Sequence, residues 1–348
     1  MALVSPARLT APRASRDRRS AWGGLVRRPE AGSLAGMIAV FVFFTIFGGR
    51  QFVSASGVSG WLNIAAEVGM VALPVGILMI AGELDLSIGA VIPASSLTVA
   101  IISGHFKLPI LLGIAVALLL SLAVGFINGI LVLRTRVPSL IVTIGTMFAV
   151  MGLTLGLSVL LTGATSTALV PPPFYKAILG QFVGGMFEVT IFWWLAFTAI
   201  LAFVLHVSPY GNWIFALGGD KQSARNAGIP TERLTIGLFM ISSFCAGFLG
   251  VCQVMTYQSA QVAGGQSFIF NSIMCVVIGG VLLTGGFGSV IGIVFGTLTF
   301  AIVNQGIYYT ALDPNLGSII IGALLLAAVL TNDTFRQFAL SSIGKKKR

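Results

Sequence analysis

From Leu234 to Leu312 the chain carries not one charged residue. A run that long is far too long for one helix, and it must cross an apolar medium more than once. The same texture covers most of the chain. Of its 348 residues, 56% are hydrophobic and 9% charged, against about 25% charged in soluble domains. The apolar runs are continuous rather than alternating, which excludes an outer-membrane barrel. Spanning segments in lipid must then be helices, because every backbone polar group needs a partner within the segment. The sequence predicts an all-α, polytopic membrane protein in the lipid bilayer.

A ruler of about 20 residues per span divides the chain into ten helices, at 33–49, 61–82, 86–103, 109–133, 139–160, 189–206, 234–257, 270–285, 288–306 and 314–332. Within the long uncharged run, Gly264-Gly265, Gly279-Gly280 and Gly285-Gly286 mark the breaks. Residues 1–32 form a separate basic tail without apolar period, expected to be disordered, and 336–348 form a second basic tail. The transmembrane body is 33–335. With an even number of spans both termini lie in the cytosol. Only Arg50, Lys107 and Lys176 then fall outside, and the other basic residues lie inside. This distribution also explains the net charge of +10 without a nucleic-acid partner. A long outer loop, 161–188, contains Pro171-Pro172-Pro173, and the longest internal cytosolic loop is 207–233. Ser95–Ile101 faintly echoes Gly296–Ile302, a hint of two related halves.

Catalytic signatures are missing. There is no His-Glu-x-x-His metal motif, no Gly-x-Ser-x-Gly elbow and no phosphate-binding loop, so no catalytic residue, metal or cofactor is expected on this chain. Cys245, Cys252 and Cys275 lie in apolar segments and read as buried small hydrophobes.

Three carboxylates, Glu67, Glu83 and Asp85, fall within or beside spans, where ionisable groups are expensive and by default functional. They could carry protons in a secondary transporter. Equally, Glu83, Asp85 and Ser87 could satisfy backbone donors at the junction between spans two and three, with Asp85 or Ser87 capping the third. Pro74 should kink the second span. Asn128, Thr143 and Thr146 are polar enough to line a path through the membrane, and helix–helix hydrogen bonds account for them equally well. Gly288, Gly292 and Gly296 recur every fourth residue and form a ridge for close helix packing. In the cytosolic loop, Lys221–Asn226 reads as a short helix capped by Asp220, ended by Gly228 and stopped by Pro230.

Four stretches together resemble a known family. Gly82-Glu83-Leu84-Asp85-Leu86-Ser87-Ile88-Gly89 is similar to the Gly-Gly-Ile-Asp-Leu-Ser-Val-Gly signature of the permease subunits of bacterial ABC sugar importers, the ribose-type group of the branch that includes branched-chain amino-acid permeases. Phe126-Ile127-Asn128-Gly129 and Val137–Met147 resemble its next run. The stretch 216–230 resembles its Gly-Gly-Asn-x-x-Ala-Ala-x-x-x-Gly-Ile segment, and Val277–Gly280 through Gly285–Val290 its glycine-rich run. The chain departs from the pattern at Glu83 for glycine, Asp220 for asparagine, Ser223 for alanine, and Ile269 where many members carry glutamate.

The resemblance implies a multi-pass bacterial inner-membrane permease of about ten helices that imports a monosaccharide or polyol. It would form a homo- or heterodimer with a second permease subunit. Cytosolic ABC ATPase subunits, holding the ATP and Mg, would dock on the loop containing Gly218, Gly219, Asp220, Ser223, Ala224, Gly228 and Ile229. A periplasmic sugar-binding protein would deliver the substrate.

Overall fold

The computed structural model describes residues 30–135 and 137–310, with Asp313, Ile319, Gly322, Ala323 and Leu326 beyond them. Helices α1 (Glu30–Phe52), α2 (Ala55–Ile80), α3 (Ile88–Val99), α4 (Ile110–Thr135) and α5 (Ser139–Thr162) follow one another with short turns. A single π-helical turn, Ala100–His105, extends α3. The loop after α5 holds strand β1 (Ser166–Ala168), helix α6 (Pro173–Leu179) and a small hairpin of β2 (Phe182–Val183) and β3 (Phe187–Glu188). Then come α7 (Thr190–His206), α8 (Pro209–Gly219), α9 (Lys221–Asn226), α10 (Thr231–Tyr257), β4 (Ser259–Gln261), α11 (Gln266–Ile278) and α12 (Val290–Gly306).

Among the described residues, seven helices are long and apolar enough to cross a membrane, or eight if the α7–α8 pair, bent by 73°, counts as one span. The all-α, polytopic reading of the sequence therefore holds. Of the tenth predicted span only Ile319, Gly322, Ala323 and Leu326 are described, all helical, and both basic tails lie outside the described residues but for Glu30, Ala31 and Gly32 at the start of α1.

The predicted crossing at 270–285 differs. Its helix, α11, starts at Gln266 and stops after 13 residues, and Gly279–Ser289 is non-helical. Upstream of it lies β4, which pairs antiparallel with β1 in the register Ser166↔Gln261. The start of α11 lies deep in the bundle, where a Cβ on Gly265 would meet the Gly89 carbonyl.

At the centre stands α2, with nearly all residues from Ala65 to Ile80 buried. It is packed by α7, α10, α11 and α12, and it runs through Pro74 without ending. Helix α1 adds an edge, where Phe44 and Phe52 meet Ile302 and Val303 of α12. Helix α5 is the most peripheral. Only Ser139, Thr143 and Ser158 are buried along it, and its outer faces carry exposed Leu, Ile and Phe side chains, a surface suited to lipid or another subunit. The three cysteines are buried and unpaired, as expected.

Candidate functional site

The signature stretch begins with a helix stop. Gly82, at φ 83°, lets the Gly82 amide reach the Met79 carbonyl at 2.9 Å and the Glu83 amide reach the Leu78 carbonyl at 3.1 Å. These paired bonds with a left-handed glycine end α2 and reverse the chain. The following residues are non-helical yet enclosed, so their polar groups need partners. Leu84 N–H donates to Ser139 Oγ on α5 at 3.1 Å. Thr143 Oγ1 donates to the Ser139 carbonyl at 2.8 Å and lies 3.5 Å from the Leu84 carbonyl.

Asp85 is 1% exposed. Its Oδ1 accepts from the Ser87 amide at 3.0 Å and from Ser87 Oγ at 2.6 Å. Its Oδ2 accepts from Ser242 Oγ at 2.9 Å and Ser243 Oγ at 3.5 Å, both on α10. Asn128 Nδ2 on α4 donates to Ser87 Oγ at 2.8 Å. A carboxylate thus joins the α2–α3 junction to α4 and α10 through hydroxyl and amide donors. Ser87 holds the N-cap position of α3 without a side-chain cap bond, and Asp85 accepts the amide of Ser87 itself rather than one inside the helix.

Of the residues considered for a membrane path, Asn128 is fully buried in its bond to the α2–α3 junction, and Thr143 is fully buried in a bond within α5. Thr146 is partly buried and bonds back to the Thr143 carbonyl at 3.2 Å.

Glu83 points the other way, to Lys221 Nζ at 3.2 Å. Lys221 opens α9, the short helix expected in the cytosolic loop. Asp220 Oδ1 accepts the Ser223 amide at 2.6 Å, and hydrogen bonds from Ser223 hold the Asp220 carboxyl below its usual value. At the far end Gly228 is left-handed (φ 80°). Its amide bonds the Arg225 carbonyl, and that of Ile229 bonds the Ala224 carbonyl, the same stop used after α2. Ala224 is the one buried residue of α9. Arg225 pairs with Glu232 of α10.

A backbone crossing holds this loop to the junction. A Cβ on Gly218 would land on the Ile80 carbonyl and beside the Gly286 amide, and that amide donates to the Ile80 carbonyl at 2.8 Å. Gly285, also left-handed, lies against Gly82 and Gly218. The end of α2, the end of α8 and the glycine-rich turn before α12 therefore meet backbone to backbone.

On that turn Ser289 caps α12 through the Gly292 amide at 3.0 Å. The glycine ridge is divided. Gly292 and Gly296 lie on α12 against the carbonyls of Gly279 and Cys275, whereas Gly288 precedes the helix and packs on Ile80 and Val281.

The three carboxylates singled out in the sequence do not meet. Glu67 precedes Ile80 on α2 by some 20 Å of helix. Its neighbours are Tyr257 and Gln253, while Glu83 and Asp85 have the separate partners above. Glu188 and Tyr257 beside Glu67, and Ser242-Ser243 beside Asp85, were not anticipated. The adjacent serines in an apolar span were the one signal available. No group of three or more His, Cys, Asp or Glu able to hold a metal occurs among the described residues.

The model of the family described as branched-chain amino acid transport system / permease component matches residues 57–329. Among curated proteins the chain is 28% identical over 318 residues to the fructose import permease protein FrcC of Rhizobium meliloti, covering 89% of this chain and 87% of that protein. It is 29% identical over 299 residues to the inner membrane ABC transporter permease protein YjfF of Escherichia coli K12, covering 83% and 88%. It is 28% identical over 278 residues to the ribose import permease protein RbsC of the same strain, covering 78% and 82%. No solved structure gives a significant match. The apolar helices and these relatives place the chain in the inner membrane. It belongs to the branched-chain amino acid transport system / permease component family.

Proposed function

We propose that this chain is the transmembrane permease subunit of an ATP-driven importer of a monosaccharide or polyol. The named relatives import fructose or ribose, and they support the sugar class. ATP and Mg belong to separate cytosolic ATPase subunits. A periplasmic binding protein delivers the sugar, and a second permease subunit, identical or related, completes the path. Both termini face the cytosol.

The observation that carries the coupling part of this reading is the seat of α9. This exposed, doubly capped helix is fixed to the α2–α3 junction by the Gly82–Gly218–Gly285–Gly286 crossing and by the Glu83–Lys221 pair. A push on α9 from a closing ATPase therefore reaches the end of the central helix α2 and the turn before α12 together. From Asp85 the displacement passes to α4 and α10 through hydrogen bonds.

The test is uptake into membrane vesicles containing the subunit with its ATPase and binding protein. Uptake should require all three and internal ATP, and survive collapse of the proton gradient. Uptake by this chain alone, abolished by that collapse, would refute the proposal. Proline at Ser223 or Ala224 should abolish copurification with the ATPase; retained association would move docking to another loop.

A further inference from the structure

Midway along α2, about 20 Å of helix from the glycine crossing, three acidic or phenolic groups meet. Tyr257 Oη, from the last residue of α10, lies 2.9 Å from Glu67 Oε1 on α2 and 3.3 Å from Glu188 Oε1 on β3. Asn63 ties the same hairpin to α2. Its Oδ1 accepts the Glu188 amide at 2.9 Å, and its Nδ2 donates to the Met186 carbonyl at 2.9 Å. Glu188 is 4% exposed, and its second oxygen, Oε2, is buried without a hydrogen-bond partner of ordinary geometry. No cation contacts either carboxyl among the described ion pairs.

A phenol carries one hydrogen. It can donate to one carboxylate oxygen only, so the second contact is a hydrogen bond only when that carboxyl brings its own proton. Two carboxyls on one hydroxyl, without a cation, repel each other when both are charged.

We propose that Glu67 and Glu188 bind one proton between them across the Tyr257 hydroxyl, and that this proton holds the β2–β3 hairpin against α2 and α10. Burial first, and the Glu67 charge second, push Glu188 up from 4.5 to about 7, against the hydrogen bonds of Tyr257 and Thr190. The closed hairpin therefore retains a proton that a solvated Glu188 would release. Its advantage is complete below 4.5, declines as pH rises towards about 7, and is gone above that. The titratable groups facing Glu188 are Glu67 on α2 and Tyr257 and Cys252 on α10. The β2–β3 turn and the start of α7 supply none.

A nitroxide attached at Met186→Cys reads the hairpin directly, because the three native cysteines are buried and Met186 uses only its carbonyl in the Asn63 bond. In full-length protein in lipid nanodiscs, the mobile-to-immobile ratio of the spectrum should rise by at least tenfold between about pH 5 and about pH 8. Glu188→Gln supplies a fixed amide donor in place of the proton and should keep the label immobile at both pH values, whereas Glu67→Gln removes only the second of the two causes and should weaken the response. A pH-independent spectrum in the otherwise native protein would overturn the proposal. So would a full pH response surviving in the Glu188→Gln variant, or one that follows sodium concentration instead of pH.

Discussion

The buried Asp85 network offers the sharpest test of how this fold holds together. Asp85→Ala leaves the Ser87 amide, the Ser87 hydroxyl and the Ser242 hydroxyl without their acceptor, in a site that water does not reach. An unsatisfied buried donor costs about 1–3 kcal/mol. Hydroxyls can rotate to other acceptors and the amide cannot, so the expected loss is about 3–5 kcal/mol. Ser242→Ala removes a single donor and leaves the carboxylate with Ser87, for a loss of about 1–2 kcal/mol. Because the Ser242–Asp85 bond is already lost once Asp85 is gone, the double variant should be little worse than Asp85→Ala alone. The cycle should then return a coupling of about 1–2 kcal/mol. Reversible denaturation of the four proteins in mixed micelles measures it. Glu83→Ala, two residues away, is the control. Its partner Lys221 is half exposed, and the expected loss is below about 1 kcal/mol. Additive single losses, or an Asp85→Ala loss no larger than that of Glu83→Ala, would refute the view that this carboxylate joins three helices.

Gly218→Ala drives a methyl into the Ile80 carbonyl and the Gly286 amide. It should cost about 1–3 kcal/mol by overpacking and leave ATP hydrolysis by the assembled complex uncoupled from uptake, as measured by the two rates in the same vesicles. Asp220 caps α9 only while ionised. That support is present above the ordinary 3.8 and is lost as pH falls through the lower folded value. Asp220→Ala should remove it at all pH values, read as faster tryptic cleavage at Lys221 and Arg225 near neutrality. Reversing both charges, Glu83→Lys with Lys221→Glu, should restore uptake lost in either single reversal, whereas a loop held by the glycine crossing alone would show no rescue.

Local physics made much of this legible in advance. Helix α9 could be bounded to the residue because its signals, Asp220, Gly228 and Pro230, lie within the segment they control. The long spans followed from length and hydropathy. What was illegible depended on partners far away in the chain. Nothing near Asp85 announces Ser242 or Asn128. The cytosolic loop was expected to begin directly after span six, yet Pro209 starts the 11-residue α8 at a sharp bend, which places Gly218 where the crossing needs it. The crossing at 270–285 was drawn as a helix because a hydropathy window cannot see that residues 259–261 pair with 166–168. Glu188 likewise resembles an ordinary loop carboxylate until the hairpin folds it against Tyr257.

The β1–β4 ribbon also bears on how the protein is made. A translocating ribosome delivers α10 well before the segment from Ser259 to Ser289 can be recognised as a crossing, since its only helix has 13 residues, short of the roughly 20 that partition unaided into a bilayer. Its strand cannot enter lipid with bare amides and carbonyls, so it has to find β1 already in place. On the ten-span arrangement, this crossing would be integrated against the chain that precedes it. The loop after α5, which resembles a dispensable linker, thus supplies the partner strand for a segment synthesised some 90 residues later.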